Sequence, residues 1–435
     1  MREMKDSGIE WIGQIPKDWK IARLCYLIDG YKAGPFGSAL IMDKLSDEGN
    51  ILIYTPETIA TGNTELPTNK YLPECRKDEM QQFFVKSGDI IFPIVGSLGR
   101  AMVVNENMPI GIINQRLAKF RLSSNEIVYP FFMRLFGESD FFQTYIELMC
   151  RGSIIVNLTK MILHDMPVPI PPIKEQQQIS DYLDTQCSEI DATAEDIQKE
   201  ITLLEDYKKS LVYNVISNGI NHSIYSTESD EVWGNLPQGW KLVDIKYLFE
   251  IVKRIAGKEG YDVLSVTQKG LKIKDITSGD GQLADNYCGY QFVYPTDYVM
   301  NHMDLLTGWV DCSELFGVTS PDYRVFRLID RSAHNLVYYK YVMQCCYMNK
   351  IFYSLGQGVS NLGRWRLQTS SFNNFKIPVP PKDEQDEIAD FLDTKCSEID
   401  SLIADKKRQL DILADYKKSL IYEYVTGKKE VPVNE

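Results

Sequence analysis

The side chains most suited to chemistry in this chain lie in glycine-bearing loops. In the first half, Lys32 leads into Gly34-Pro35-Phe36-Gly37-Ser38. Gly96-Ser97-Leu98-Gly99-Arg100 follows the strand-like run from Asp89 to Val95. Asn114-Gln115-Arg116 precedes the strand-like Leu117 to Leu122, and Arg151-Gly152-Ser153 leads to Asn157 and Lys160. In the second half the comparable positions are Lys253, Arg254, Lys269, Lys272, Lys274, Asn301, His302 and Arg324. The run from Gly356 to Arg366 adds Gln357, Ser360, Asn361, Arg364 and Arg366. Glycine lets a backbone N–H approach a phosphate closely, while Arg, Gln and Asn offer the paired donors that suit guanine and adenine edges. One such loop is an ordinary turn. Their recurrence in both halves makes nucleic acid the expected ligand.

Catalytic patterns are missing. The four histidines, His164, His222, His302 and His334, show no metal-ligand spacing, and no phosphate-binding G-x-x-x-x-G-K-[ST] or G-x-S-x-G occurs. Gly356-Gln357-Gly358 meets Asn361 where a dinucleotide fingerprint wants glycine. Pro321-Asp322 is followed by no Glu-x-Lys of nuclease spacing. The expectation is a binding protein with no catalytic residues and no metal.

The elements that position these loops come in two copies. Pro169-Ile170-Pro171-Pro172, Glu175-Gln176, Cys187-Ser188-Glu189-Ile190-Asp191 and Asp206-Tyr207-Lys208-Lys209-Ser210-Leu211 recur at a constant offset of 209 residues. The second copy reads Pro378-Val379-Pro380-Pro381, Glu384-Gln385, Cys396-Ser397-Glu398-Ile399-Asp400 and Asp415-Tyr416-Lys417-Lys418-Ser419-Leu420. Upstream of each block the likeness is looser. Pro16-Lys17-Asp18-Trp19 answers to Pro237-Gln238-Gly239-Trp240, Asp89 to Asp297, and Phe120-Arg121-Leu122 to Phe326-Arg327-Leu328, at drifting offsets. Drift means insertions, which belong in loops. The expected division is a globular segment 1–173, a spacer helix 174–220, a second globular segment 221–381, a second spacer helix 382–427 and a tail 428–435.

Each spacer carries apolar residues at seven-residue spacings. Leu183, Ile190, Ile197, Leu204 and Leu211 mark the first, and Leu392, Ile399, Leu413 and Leu420 belong to the second stripe. Such a repeat predicts long helices that pair along a seam. The preceding Pro-Pro suits a helix start, and Asn218-Gly219 and Gly427 suit its end. The simplest pairing is with each other, as an antiparallel coiled coil about an internal pseudo-twofold axis. The fold class expected is therefore α+β, two globular domains of mixed α/β structure, each followed by a long helix.

The net charge of −13 speaks against a nucleic-acid partner until its distribution is considered. Residues 174–220 carry ten acidic and four basic side chains, and residues 382–427 carry twelve and seven, so −11 of the total lies in the spacers. The globular segments are near neutral and can hold local basic surfaces. The nine cysteines are scattered, with no Cys-x-x-Cys, and buried reduced thiols are expected. No apolar run reaches membrane-spanning length and Met1 to Asp6 begins no secretory leader, so a cytoplasmic protein is expected.

With these residues assembled, the chain resembles the specificity (S) subunit of type I restriction–modification enzymes. The resemblance rests on the duplicated Pro-x-Pro-Pro-x-x-Glu-Gln helices, the Gly34–Ser38 loop, the Gly96–Arg100 turn, and the stretches that run through Asn157-Leu158 and Asn361-Leu362. It extends over essentially the full chain. It implies two target-recognition domains, each reading one half of a bipartite double-stranded DNA site, with the helices setting the gap. It further implies docking of two methyltransferase (M) subunits, which carry S-adenosylmethionine, and of restriction (R) subunits, which use ATP and Mg. No cofactor is implied for this chain itself. A two-headed adaptor that binds proteins, and a nuclease acting alone, are the competing readings.

One expectation comes from the residues rather than from the resemblance. Asn114-Gln115-Arg116 stands against Ser320-Pro321-Asp322 in the other half, so the two half-sites should be unlike.

Overall fold

In the computed structural model, residues 2–36, 40, 45–96, 100–149, 158–221, 224–275, 286–358 and 365–432 are described. The chain divides into two units, Met1–Ile197 with Arg408–Glu435, and Gln198–Lys407. Each unit thus holds one globular segment, the start of the helix that follows it, and the end of the other helix.

In the first unit a four-stranded antiparallel sheet has the order Ile28–Ala33, Leu117–Leu122, Ile90–Pro93, Met102–Val103. Alternation in Leu117–Leu122 sends Phe120 and Leu122 inward and Arg121 outward. Phe92 and Phe120 meet Phe132, Phe136 and Phe142 from the helical stretch 129–149, with ring centroids 4.0–6.4 Å apart. A smaller parallel pair, Leu52–Tyr54 with Gly111–Ile113, has its own buried cluster. The chain closes on itself through Lys20–Arg23 paired with Pro167–Ile170, just before the helix.

The second unit repeats the plan. Its sheet runs Phe249–Val252, Arg324–Leu328, Tyr298–Met300, Val310–Cys312, and Lys241–Asp244 pairs with Lys376–Val379. The helix Leu336–Met348 covers the sheet with buried Tyr338, Tyr339, Val342, Met343, Cys345 and Cys346. A hairpin, Leu264–Thr267 with Gly270–Ile273, has no counterpart among the described residues of the first unit.

The spacers are single helices, Ile173–Asn218 and Lys382–Val425, 46 and 44 residues long. Gly219 and Gly427, at φ +69° and +73°, supply the left-handed residue past each end. Within the first unit, Tyr182 meets Tyr424 with ring centroids 4.9 Å apart and Lys417 bonds Asp191, so the two helical pieces run antiparallel. Within the second, Lys208 bonds Asp400 and Lys406 pairs with Glu200, again antiparallel.

Of the predicted seam residues, Leu183, Leu392, Ile399 and Leu420 are buried, whereas Ile190, Ile197, Leu204, Leu211 and Leu413 are half-buried. Part of the difference has a physical reason. Leu183 and Leu420 in the first core and Leu392 in the second gain a third layer from a globular segment, while Ile399 is buried outside both cores. Expectation also differs from structure at the cysteines. Cys187, Cys345, Cys346 and Cys396 are buried, but Cys75 is exposed and Cys25, Cys288 and Cys312 are intermediate. No helix of the described residues is long and apolar enough to cross a membrane.

Candidate nucleic-acid interface

Antiparallel pairing gathers Gly34, Gln115 and Arg116 of the first-half candidates at one edge. Strands Ile28–Ala33 and Ile90–Pro93 end where Leu117–Leu122 begins. There Gly34 N–H donates to Leu117 O (2.8 Å), Ile94 N–H to Arg116 O (2.8 Å) and Leu158 N–H to Ile94 O (3.0 Å). Four loops therefore leave the sheet side by side. Gly34 is required by this approach, because a Cβ there would lie 1.8 Å from Asn114 O. Asn114 Oδ1 accepts from Arg116 N–H (2.9 Å) and shapes the turn that exposes Gln115 and Arg116. Phe36, in the loop after Gly34, is 75% exposed.

Other first-half candidates are engaged locally. Lys32 Nζ donates to Gln82 Oε1 (2.5 Å) and stands 5.3 Å from the Phe83 ring. Arg100 Nη1 donates to Ala60 O (2.6 Å), and Lys160 stands over the Tyr31 ring at 5.8 Å. Gly37, Ser38, Ser97, Arg151, Ser153, Asn157, Ser360, Asn361 and Arg364 lie outside the described residues.

The second unit builds the equivalent edge with different side chains. Asn301 and His302 follow the strand Tyr298–Met300, and Leu367 N–H donates to His302 O (3.0 Å), as Leu158 does to Ile94. Gln357 and Arg366 exchange backbone hydrogen bonds (3.0 and 3.1 Å) and form an antiparallel bridge. The glycines of the Gly356-Gln357-Gly358 run have a packing cause. Added Cβ atoms would meet Leu305 Cδ1 at 2.8 Å from Gly356 and the Trp365 ring at 2.9 Å from Gly358. Tyr353 packs on the Trp365 indole, 5.0 Å between centroids.

Two arginines turn inward. Arg254 Nη2 donates to Asp297 Oδ2 (2.6 Å), a carboxylate buried at the sheet, and its guanidinium lies 4.8 Å from the Tyr294 ring centroid. Arg324 is buried; its Nη2 donates to Leu367 O (3.0 Å) and Thr369 Oγ1 (3.3 Å), with the Phe372 ring 4.6 Å away. Burial lowers the Arg324 guanidinium to about 10. Burial, and then the charges of Arg324 and Arg366, push His302 down to about 4, so its ring is neutral at physiological pH. Lys253, Lys269 and Lys272 are exposed, the latter two on the hairpin Leu264–Ile273, and Lys274 is half-buried.

The duplicated Glu-Gln pair proves to be a structural lock. Trp19 Nε1 donates to Glu175 Oε2 (3.1 Å), and Trp240 Nε1 to Glu384 Oε2 (2.9 Å). Buried Gln176 donates to Pro171 O and Glu126 O and accepts from Val128 N–H. Gln385 donates to Pro380 O and accepts from Asn335 N–H. Each helix start is thus tied to the first strands and to the helical layer of its own domain. The constant offset of 209 residues was the signal for these partners. An aromatic cluster of Tyr261, Phe292, Tyr294 and Phe316 in the second unit had no such signal, since it has no repeat partner.

The comparisons with known proteins agree with this architecture. The family model described as the type I restriction modification DNA specificity domain matches residues 16–203 and 237–411. The putative type I restriction enzyme MjaX specificity subunit of Methanocaldococcus jannaschii is 23% identical over 97% of this chain and 96% of its own length. The MjaVIII specificity subunit of the same organism is 23% identical over 96% of this chain and 94% of its length. A chain from a structure titled for complex assembly and conformational transition of the type I R-M system matches in fold. Its TM-score is 0.64 at 15% identity, over 95% of this chain and 99% of that one. The duplicated domain-plus-helix plan and the twofold match of the family model place the chain in the type I restriction modification DNA specificity family, as a DNA-sequence-recognition subunit.

Proposed function

We propose that each unit reads one half of an asymmetric, bipartite duplex site through the strand-end edge described above. One observation carries this reading. Equivalent exposed positions at the two edges hold unlike side chains: Gln115 and Arg116 in the first, and Pro321 and Asp322 in the second. A shared scaffold with divergent side chains at one edge is what two different base sequences require.

The helices set the gap between half-sites and dock the methyltransferase subunits. Leu203 and Tyr207 are 68% and 57% exposed on the first helix. Their repeat partners Ile412 and Tyr416 are 59% and 52% exposed on the second. An apolar i, i+4 pair kept in both copies yet left in solvent suits two copies of one partner, which favours two M subunits. The chain itself is non-catalytic and binds no cofactor. S-adenosylmethionine belongs to the M partner, and ATP and Mg to R subunits that join the complex in the cytoplasm.

Mapping N6-methyladenine in DNA from cells that carry this chain and its M partner tests the proposal. Two unlike half-sites at one fixed gap are expected. A palindromic site, or methylation that does not change when the second globular segment is exchanged, overturns it.

A further inference from the structure

Beside the Gln357–Arg366 bridge the second unit holds positive charge with no carboxylate bonded to it among the described residues. Arg324 is 5% exposed, and it meets a carbonyl, a hydroxyl, the Met300 sulfur and an aromatic ring. Arg366, two positions before the helix-leading Gln368, is exposed and close enough for the two guanidinium charges to oppose each other. His302 Nδ1 and Trp365 Nε1 are both buried without a hydrogen-bond partner. The backbone joins these groups: Leu367 N–H bonds His302 O, and Arg324 bonds Leu367 O.

The first unit provides an internal control. Strand registers Met300 with Arg324 and Phe92 with Ala118 are equivalent, so Ala118 occupies the place of Arg324 and Ile94 that of His302. The same fold closes that position with two apolar residues. The fold therefore has no need of a cation there. A buried guanidinium without a counter-charge is costly, and a second cation nearby adds to the cost. An anion beside Arg366 cancels that repulsion and supplies the buried guanidinium with a counter-charge.

We propose that Arg366, backed by the buried charge of Arg324, seats one backbone phosphate of the duplex half-site read by the second unit, and that the first unit lacks an equivalent seat. The inference rests on the DNA-reading function proposed above. It assigns Arg366 to the phosphate backbone and not to a base. The neutral His302 ring and the Trp365 indole then complete the wall of the seat.

The test uses the chain in complex with its methyltransferase partner and the duplex defined by methylation mapping, with binding measured across a range of salt concentrations. Arg366→Gln should weaken binding alike on all sequences and reduce the slope of log K against log salt by about 0.9, the value for one phosphate. Arg366→Lys should restore the slope. Replacing one phosphate of the second half-site by a neutral methylphosphonate should weaken the unmodified complex and leave the Arg366→Gln complex unaffected. If Arg366→Gln keeps slope and affinity, or relaxes base preference at one position with the slope intact, the phosphate seat is wrong while the DNA reading stands. If the unmodified complex binds duplex without salt dependence, the DNA reading itself fails.

Discussion

Lys417 Nζ lies 2.7 and 2.8 Å from the two carboxylate oxygens of Asp191, although 226 residues separate them in sequence. Lys208 makes the same contact with Asp400, at 2.7 Å to both oxygens. Adding the repeat offset to Lys208 and Asp191 gives Lys417 and Asp400, so one bond is made twice with the donor and acceptor helices exchanged. Each unit contains one of the two bonds. A repeated sequence that pairs head to tail must satisfy each contact in duplicate.

The two bonds should be of equal and modest strength. Both lysines are partly exposed and both aspartates well exposed, so Lys208→Ala and Lys417→Ala should each cost under about 1 kcal/mol. Urea unfolding with double-mutant cycles against Asp400→Ala and Asp191→Ala measures this. The coupling should fall at high salt.

The Trp–Glu locks should matter more. Trp19→Phe keeps the ring in the core but leaves Glu175 without its indole donor, and Trp240→Phe does the same to Glu384. A hydrogen bond to a charged group contributes about 1.5–3 kcal/mol, and comparable losses are expected at the two sites by urea unfolding.

Gly34→Ala should harm the first recognition edge alone. The added methyl collides with Asn114 O, and overpacking of this kind costs about 1–3 kcal/mol. Discrimination at the first half-site should drop with the second intact, as read by methylation of sites altered in one half at a time.

His302 predicts part of the acid sensitivity. Its folded value, about 4, lies below the ordinary 6.5, chiefly through burial. Both states are neutral above pH 6.5, so its contribution is complete there. As pH falls from 6.5 to about 4 the unfolded chain takes up a proton that the folded chain refuses, and stability declines. Below about 4 the decline from this group ends. His302→Gln should flatten the stability–pH curve in that window; an unchanged slope would remove His302 from the account.

The exposed helix pairs should govern assembly. Leu203→Glu with Ile412→Glu should abolish co-purification of the methyltransferase partner while circular dichroism and thermal unfolding of the chain stay the same. Either substitution alone should leave a complex with one partner copy, measurable by native mass.

Much of the architecture was legible in the chain. Periodicity marked both helices to within a few residues, Pro171-Pro172 and Pro380-Pro381 marked their starts, and the offset of 209 marked equivalent positions. These are local signals, set by backbone geometry and by the spacing of apolar residues on a helix. The roles of individual cations were not legible. Arg254 and Arg324 look like Arg116 and Arg366 in sequence, yet the first two turn inward, to Asp297 and to Leu367 O, and the last two are exposed. That choice depends on partners 43 residues away along the chain in both cases, and only the packed sheet brings them within reach. Likewise the seam residues carry one pattern but are buried to different extents. Sequence determined which surfaces pair; tertiary structure decided which charges are left to face a ligand, because burial and counter-charge are properties of the assembled fold.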